Sequence, residues 1–308
     1  MERLRIGLIG WGTMGAALGQ LLAAGPLPVE LARLGVRDAA RERASALPGG
    51  LAVGPAEDVV RDDLPVVVEL AGGVDGPYGW ARDTLARGGA YVTANKALLA
   101  THGGELARLA EEHGGALLAS ASVGGGAPMI ETVGHLAATA RIGGLRGLLN
   151  ATTTFILSEM ALGRSYQDAL AAAQAAGYAE ADPSFDVGGR DAAQKLAILA
   201  SVAWGRWRAE REVDTRGIVG LQVSAGRTVR LVAEADAEGL RVRPMELDAG
   251  SQMAAASGVE GVLEVRAGEA TYRVSGPGAG GPAGAGAVYA DLARLVRGER
   301  PILFGAAS

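Results

Sequence analysis

LRIGLIGWGTMGAALGQLL, residues 4–22, runs from a short apolar stretch through a glycine turn into an amphipathic stretch. That succession is a strand, a tight turn and a helix, the first unit of a βα fold. The turn GWGTMG sets Gly10, Gly12 and Gly15 at the spacing of a dinucleotide fingerprint. The first glycine permits the turn, the second lets the backbone approach a pyrophosphate, and the third lets helix and strand pack closely. The helix then points its unpaired N–H groups at the phosphates. Gly10, Gly12, Thr13, Met14 and Gly15 are therefore candidate cofactor contacts. An incidental glycine turn is the weaker reading, because a strand precedes this one and a helix follows it.

Further along, LARLGVRD ends where such a domain places the residue that reads the ribose. Arg37 stands there and is suited to a 2′-phosphate, so NADP is expected, with NAD as the alternative. LPVVVELAGG is a continuous apolar run, as a strand buried on both faces requires, and a helix over about Gly76–Arg87 follows it. AYVTANKALLA repeats the pattern, with its strand ending at Thr93–Lys96, and a further helix and strand lead to the loop Ser122–Pro128. Ligands gather at strand ends in such sheets, which makes Thr93, Asn95, Lys96 and that loop candidates. A solvated lysine opening a helix is the plain alternative for Lys96.

After Pro128 the texture changes to helices, then to the strand-like runs GLQVSA, TVRLVAEA, LRVRPMEL and GVLEVRAG. This predicts an α+β domain with an antiparallel or mixed sheet. The expected division is residues 1–128 for dinucleotide binding, completed by a C-terminal helix at 285–308, and 129–284 for a second domain. The glycine-rich loop before that helix, including Gly280, is expected to touch ligand.

GYAEADPSFDVGGRDAAQK, residues 177–195, crowds acids and one lysine together. Helical spacing puts Lys195 on a face with Ala192, Ile198, Leu199 and Val202, and Asp191 joins it one turn earlier, where the helix dipole favours an anion. A lysine on an apolar face is either paired or set up for chemistry. The bland alternative is a surface pair at i, i+4 worth about 0.3–0.5 kcal/mol.

Composition narrows the function. The chain has 308 residues and a net charge of −5, which argues against a nucleic-acid partner. It has no cysteine, so disulfides and thiolate sites are excluded, and its three histidines lack zinc spacing. No run reaches the roughly 18 apolar residues of a membrane span, and no signal-peptide core opens the chain. A soluble cytoplasmic protein with a small-molecule substrate is expected.

GWGTMG, VVVELAGG, YVTANKALLA, SVGGGAP, the acid-rich run and GPGAGG together resemble homoserine dehydrogenase, in order and spacing, from Ile6 to about Leu295. The resemblance implies a Rossmann-like nucleotide-binding domain plus an α+β substrate and dimerisation domain with a mixed sheet. It also implies a homodimer without an appended regulatory domain, acting in threonine and methionine biosynthesis. The implied activity is interconversion of L-aspartate 4-semialdehyde and L-homoserine with a nicotinamide cofactor. Lys195 matches the general acid, and Lys96 the lysine between cofactor and substrate. Glu180, Asp186 and Asp191 match the acids that hold the substrate and surround Lys195, and Gly280 matches a backbone contact to the cofactor. The chain departs from the pattern at Ser120, where the family has a glutamate of a monovalent-cation site, leaving only carbonyls near Val123 and Gly125. It departs again at Ala151 and Thr154. Two alternatives stay open on these departures: a diverged paralogue acting on another small amino-acid aldehyde or oxo acid, and a non-catalytic dinucleotide-binding regulator.

Overall fold

A computed structural model describes residues 3–38, 47, 49–256, 258–278 and 280–304. The chain divides into two compact units, the first formed by residues up to Gly126 together with those from Gly280 onward, the second by Ala127–Ala279. In the first unit the elements are β1 (Leu4–Ile9), α1 (Thr13–Ala24), β2 (Val29–Gly35), β3 (Ala52–Gly54), α2 (Ala56–Arg61), β4 (Val66–Glu69), α3 (Asp75–Ala86), β5 (Ala90–Thr93), α4 (Lys96–His113) and β6 (Ala116–Leu118). The strands form one parallel sheet in the order β3-β2-β1-β4-β5-β6, the doubly wound arrangement of dinucleotide-binding folds. Every residue of β4 is buried, which explains its unbroken apolar run in the centre of a parallel sheet. Ile6, Leu8, Val66, Val68 and Val92 make the core with Leu18 of α1.

The turn after β1 shows why glycine stands where it does. Gly10 has φ +105°, and a Cβ on it would lie 2.7 Å from the Leu70 carbonyl carbon. A Cβ on Gly15 would sit 2.2 Å from the Gly10 carbonyl oxygen, so the close helix-to-strand approach depends on its absence.

The second unit contains α5 (Met129–Thr139), β7 (Ile142–Leu148), α6 (Ala151–Ala161), α7 (Tyr166–Ala175), α8 (Ser184–Val187), α9 (Arg190–Trp204), β8 (Val213–Thr215), β9 (Val229–Asp236), β10 (Gly239–Glu246), β11 (Glu260–Ala267) and β12 (Ala270–Pro277). Its sheet runs β12-β11-β7-β9-β10-β8, antiparallel except for the β10/β8 pair. This is the expected mixed sheet. Two details differ from the sequence reading. GLQVSA, residues 220–225, is not a strand: Gly220 has φ +71°, and the place beside β10 is taken by Val213–Thr215 in parallel. The strand β12 was hidden in the run-up to the glycine-rich loop, and it pairs with β11 through a turn at Gly268, φ +60°.

The chain re-enters the first unit at Gly280, before the expected 285, because the closing helix α10 (Gly281–Val296) begins directly after it. Gly280 caps that helix with φ +118°, a conformation side chains rarely adopt. Val288 and Leu292 of α10 join the core of the first unit.

Candidate active site

In the second unit, α9 starts at Arg190 behind Gly189, whose φ of +85° turns the chain into the helix. Asp191 falls in the first turn at 5% exposure, and Lys195 follows one turn later on the same face. The Lys195 ammonium donates to Asp191 Oδ2 at 2.8 Å and to the Leu149 carbonyl at 2.8 Å. With side-chain exposures of 14% and 6%, this is a largely desolvated ion pair rather than the solvated surface pair of the bland reading. An ammonium has three N–H groups. Two are engaged among the described residues, which leaves the third for an oxygen brought by a ligand.

Asn150 completes the cluster, and nothing in the acid-rich run announced it. It caps α6, its Oδ1 accepting from the Thr153 N–H at 2.8 Å, while its amide donates to Asp186 Oδ1 at 2.6 Å and Asp191 Oδ2 at 2.8 Å. One amide therefore holds two like charges together and leaves neither oxygen bare. An asparagine immediately before a helix is a capping signal, and that signal alone could have drawn attention to it. Thr153 and Thr154 both turn their hydroxyls onto the Asn150 carbonyl, at 3.1 and 3.0 Å. The departure at Thr154 thus supports the asparagine from behind. Of the expected acids, Asp186 and Asp191 meet at Asn150, whereas Glu180 is exposed in the loop before α8 and its carboxylate stands outside that network.

In the first unit, the candidate cofactor residues line the C-terminal ends of the strands. α1 starts at Thr13 with no side chain capping it, so its first N–H groups stay available to an anion. A Cβ on Gly12 would meet nothing within 4 Å, so the fold itself does not require glycine there, and the open space suits an approaching phosphate. Thr13 and Met14 direct their side chains to α10: a Cβ on Gly281 would lie 2.4 Å from Thr13 Cγ2, and one on Gly284 2.5 Å from Met14 Cε. These contacts seat Gly280 beside the turn. Arg37 is exposed just beyond the end of β2, and Lys96 opens α4 behind its cap Asn95. The Thr93 side chain is fully buried, and its hydroxyl is donated to Glu69 rather than presented to a ligand.

The Ser120 position does not fit a charged cation ligand. Its hydroxyl and N–H both donate to Asp291, at 2.5 and 3.0 Å, which ties the turn after β6 to α10. Val123 is buried, Gly125 has φ +60°, and no group of three or more histidine, aspartate or glutamate side chains that could hold a metal occurs among the described residues.

The chain is similar to known proteins over both units. One family model, described as homoserine dehydrogenase, matches residues 128–293, and a second, described as the homoserine dehydrogenase NAD binding domain, matches residues 10–119. A homoserine dehydrogenase of Synechocystis sp. is 35% identical over 317 residues, spanning 95% of this chain and 73% of that protein. The crystal structure of a homoserine dehydrogenase from Thiobacillus denitrificans matches with a TM-score of 0.90 at 33% identity, over 96% of this chain and 74% of that one. A hyperthermophilic archaeal homoserine dehydrogenase in complex with NADPH shares the fold, with a TM-score of 0.87 at 24% identity over 97% of this chain and 99% of that one.

Proposed function

The chain belongs to the homoserine dehydrogenase family of NAD(P)-dependent oxidoreductases, and from that premise we propose that Lys195 is the proton donor to the carbonyl oxygen of L-aspartate 4-semialdehyde. The observation that carries this assignment is the Lys195 ammonium, desolvated, fixed by Asp191 and the Leu149 carbonyl, with one N–H left over. When bound, the dinucleotide supplies the hydride for reduction and accepts it for oxidation. As the carbonyl oxygen gains negative charge, a fixed ammonium stabilises it more in the transition state than in the ground state and then transfers its proton. In the reverse direction the neutral amine takes the hydroxyl proton of homoserine.

Asp191 orients the lysine, and the Asn150 amide keeps Asp191 and Asp186 from repelling one another. Asp186, which is only half-buried, is assigned to the substrate ammonium together with Glu180. Lys96, at the head of α4, is assigned to the dinucleotide and substrate. Gly10, Gly12, the first N–H groups of α1, Arg37 and Gly280 are assigned to the dinucleotide, with NADP preferred and NAD the alternative. Support for NADP comes from Arg37, exposed just beyond the end of β2. No step is assigned to a monovalent cation, because Ser120 brings no carboxylate. A homodimer built on the second unit, a cytoplasmic setting and a place in threonine and methionine biosynthesis complete the proposal. No helix among the described residues is long and apolar enough to cross a membrane.

The test is turnover of the purified protein, followed through reduced-dinucleotide absorbance with L-homoserine and NADP⁺ or NAD⁺, and with L-aspartate 4-semialdehyde and NADPH. Robust turnover in both directions is expected. Absence of turnover with both substrates, or faster reduction of other small amino-acid aldehydes, would overturn the assignment.

A further inference from the structure

We propose that Glu69 is a positioning residue for the nicotinamide half of the dinucleotide, a role that rests on the cofactor reading above and extends it to a residue outside the glycine turn. Glu69 ends β4 and is fully buried. A central parallel strand asks for valine or isoleucine at such a place, as its three preceding residues show. Burying a carboxylate there is unfavourable unless donors replace its water. Among the described residues its hydrogen-bond partners are three neutral donors: the Ala71 and Gly72 N–H groups on Oε1, at 2.7 and 2.8 Å, and the Thr93 hydroxyl on Oε2, at 2.7 Å.

These bonds reach in two directions. Towards β1, the carboxylate sits in a backbone cup whose donors are the Ala71 and Gly72 N–H groups, at a turn where Gly72 and Gly73 take left-handed φ of +73° and +87°. The cup is pinned to the phosphate turn, because the Leu70 N–H donates to the Ile9 carbonyl at 2.7 Å and Leu70 fills the space that a Cβ on Gly10 would need. Towards β6, the Thr93 hydroxyl accepts from the Asn95 N–H at 3.0 Å, and the Asn95 amide returns to the Gly73 carbonyl at 2.6 Å. Asn95 also caps α4, whose first residue is Lys96. Ile9, Glu69 and Thr93 are register neighbours across β1, β4 and β5. One buried carboxylate thus couples the phosphate turn, the loop after β4 and the helix start that bears Lys96.

In a doubly wound fold the dinucleotide crosses the sheet where the strand order reverses, here between β1 and β4. One mononucleotide half therefore lies over the ends of β4 and β5, the shelf that Glu69 braces. Glu69 acts through that shelf and need not touch the ligand.

The test compares wild type, Glu69→Gln and Thr93→Val by NADPH fluorescence titration, by homoserine kinetics at saturating dinucleotide, and by thermal unfolding. Glutamine keeps the shape and one acceptor oxygen but removes the acceptor of the Thr93 hydroxyl, and valine removes that hydroxyl from the other side. Both variants should raise the NADPH Kd by about tenfold, as expected for loss of one hydrogen bond to a charged group, with the homoserine KM held within about twofold. Unchanged Kd in both variants overturns the proposal, as does a purely structural outcome in which Tm falls and both substrates weaken equally. If Glu69→Gln does not fold, Thr93→Val decides by the same Kd. A wild type that binds NADPH and turns over homoserine, alongside variants of unchanged Kd, refutes the role of Glu69 alone. A wild type that does neither refutes the cofactor reading beneath it.

Discussion

Removing the Asn150 amide should damage the proton-donor cluster more than its size suggests. Its two N–H···carboxylate bonds, 2.6 Å to Asp186 and 2.8 Å to Asp191, are of the charge-assisted kind, worth about 1.5–3 kcal/mol each. Asp186 is only half-buried, so water replaces much of its bond, whereas Asp191 at 5% exposure has no such recourse. The loss of the amide is then about 2–3 kcal/mol, and the helix cap onto the Thr153 N–H adds about 1 kcal/mol. Asn150→Ser keeps a capping oxygen and loses the amide, and Asn150→Ala loses both. Urea unfolding should therefore place serine about 2–3 kcal/mol below wild type, and alanine about 1 kcal/mol lower again. Because Asp191 also orients Lys195, kcat with homoserine should fall in both variants. A serine variant within about 0.5 kcal/mol of wild type and with unchanged kcat would refute the reasoning.

The glycine turn offers a matched pair. Gly12→Ala should leave stability within about 1 kcal/mol and weaken NADPH, since its Cβ meets nothing in the protein, whereas Gly15→Ala should destabilise by about 1–3 kcal/mol through collision with the Gly10 carbonyl. Unfolding and NADPH titration check both, and a Gly12→Ala protein that binds NADPH normally would remove Gly12 from the site. Arg37→Ala should weaken NADPH about tenfold more than NADH; equal losses would count against phosphate reading. In the turn after α9, burial raises the Glu210 carboxyl, but hydrogen bonds from Arg190 and Gln194 in the first turns of that helix outweigh it and leave the group below its ordinary value. A depressed carboxylate stabilises fully above its unfolded value, about 4.3, and loses that contribution as pH falls through the lower folded value. Glu210→Gln should accordingly flatten the decline in urea midpoint below about pH 5, and parallel curves for the two proteins would contradict this.

What was legible in the sequence was local. The β1 turn announced itself because the spacing of its three glycines is a fingerprint, two of them, Gly10 and Gly15, with a backbone reason in the fold, and Asp191 with Lys195 announced itself because helical periodicity fixes which face they share. What escaped depended on partners distant in the chain. GLQVSA alternates like a strand, yet a strand needs a neighbour, and Val213–Thr215 holds that place beside β10. Asn150 lies 41 residues before Asp191, and only folding brings its amide to the acid. Glu69 carried a faint signal, one acid in an apolar run, but its use becomes clear only when Thr93 of the next strand is seen to donate to it. Glu180 shows the converse: membership of an acid-rich run does not fix where a side chain goes, and the loop before α8 leaves Glu180 exposed, outside the hydrogen bonds that join Asp186 and Asp191.

Proton transfer to the substrate is assigned to Lys195 Nζ. The most direct measurement is kcat for reduction of L-aspartate 4-semialdehyde by Lys195→Ala, with both substrates saturating and NADPH affinity verified. A loss of about 10²–10⁴-fold with NADPH binding intact is predicted, the range of a removed general acid. A kcat within about twofold of wild type would place the proton donor elsewhere and contradict the central claim.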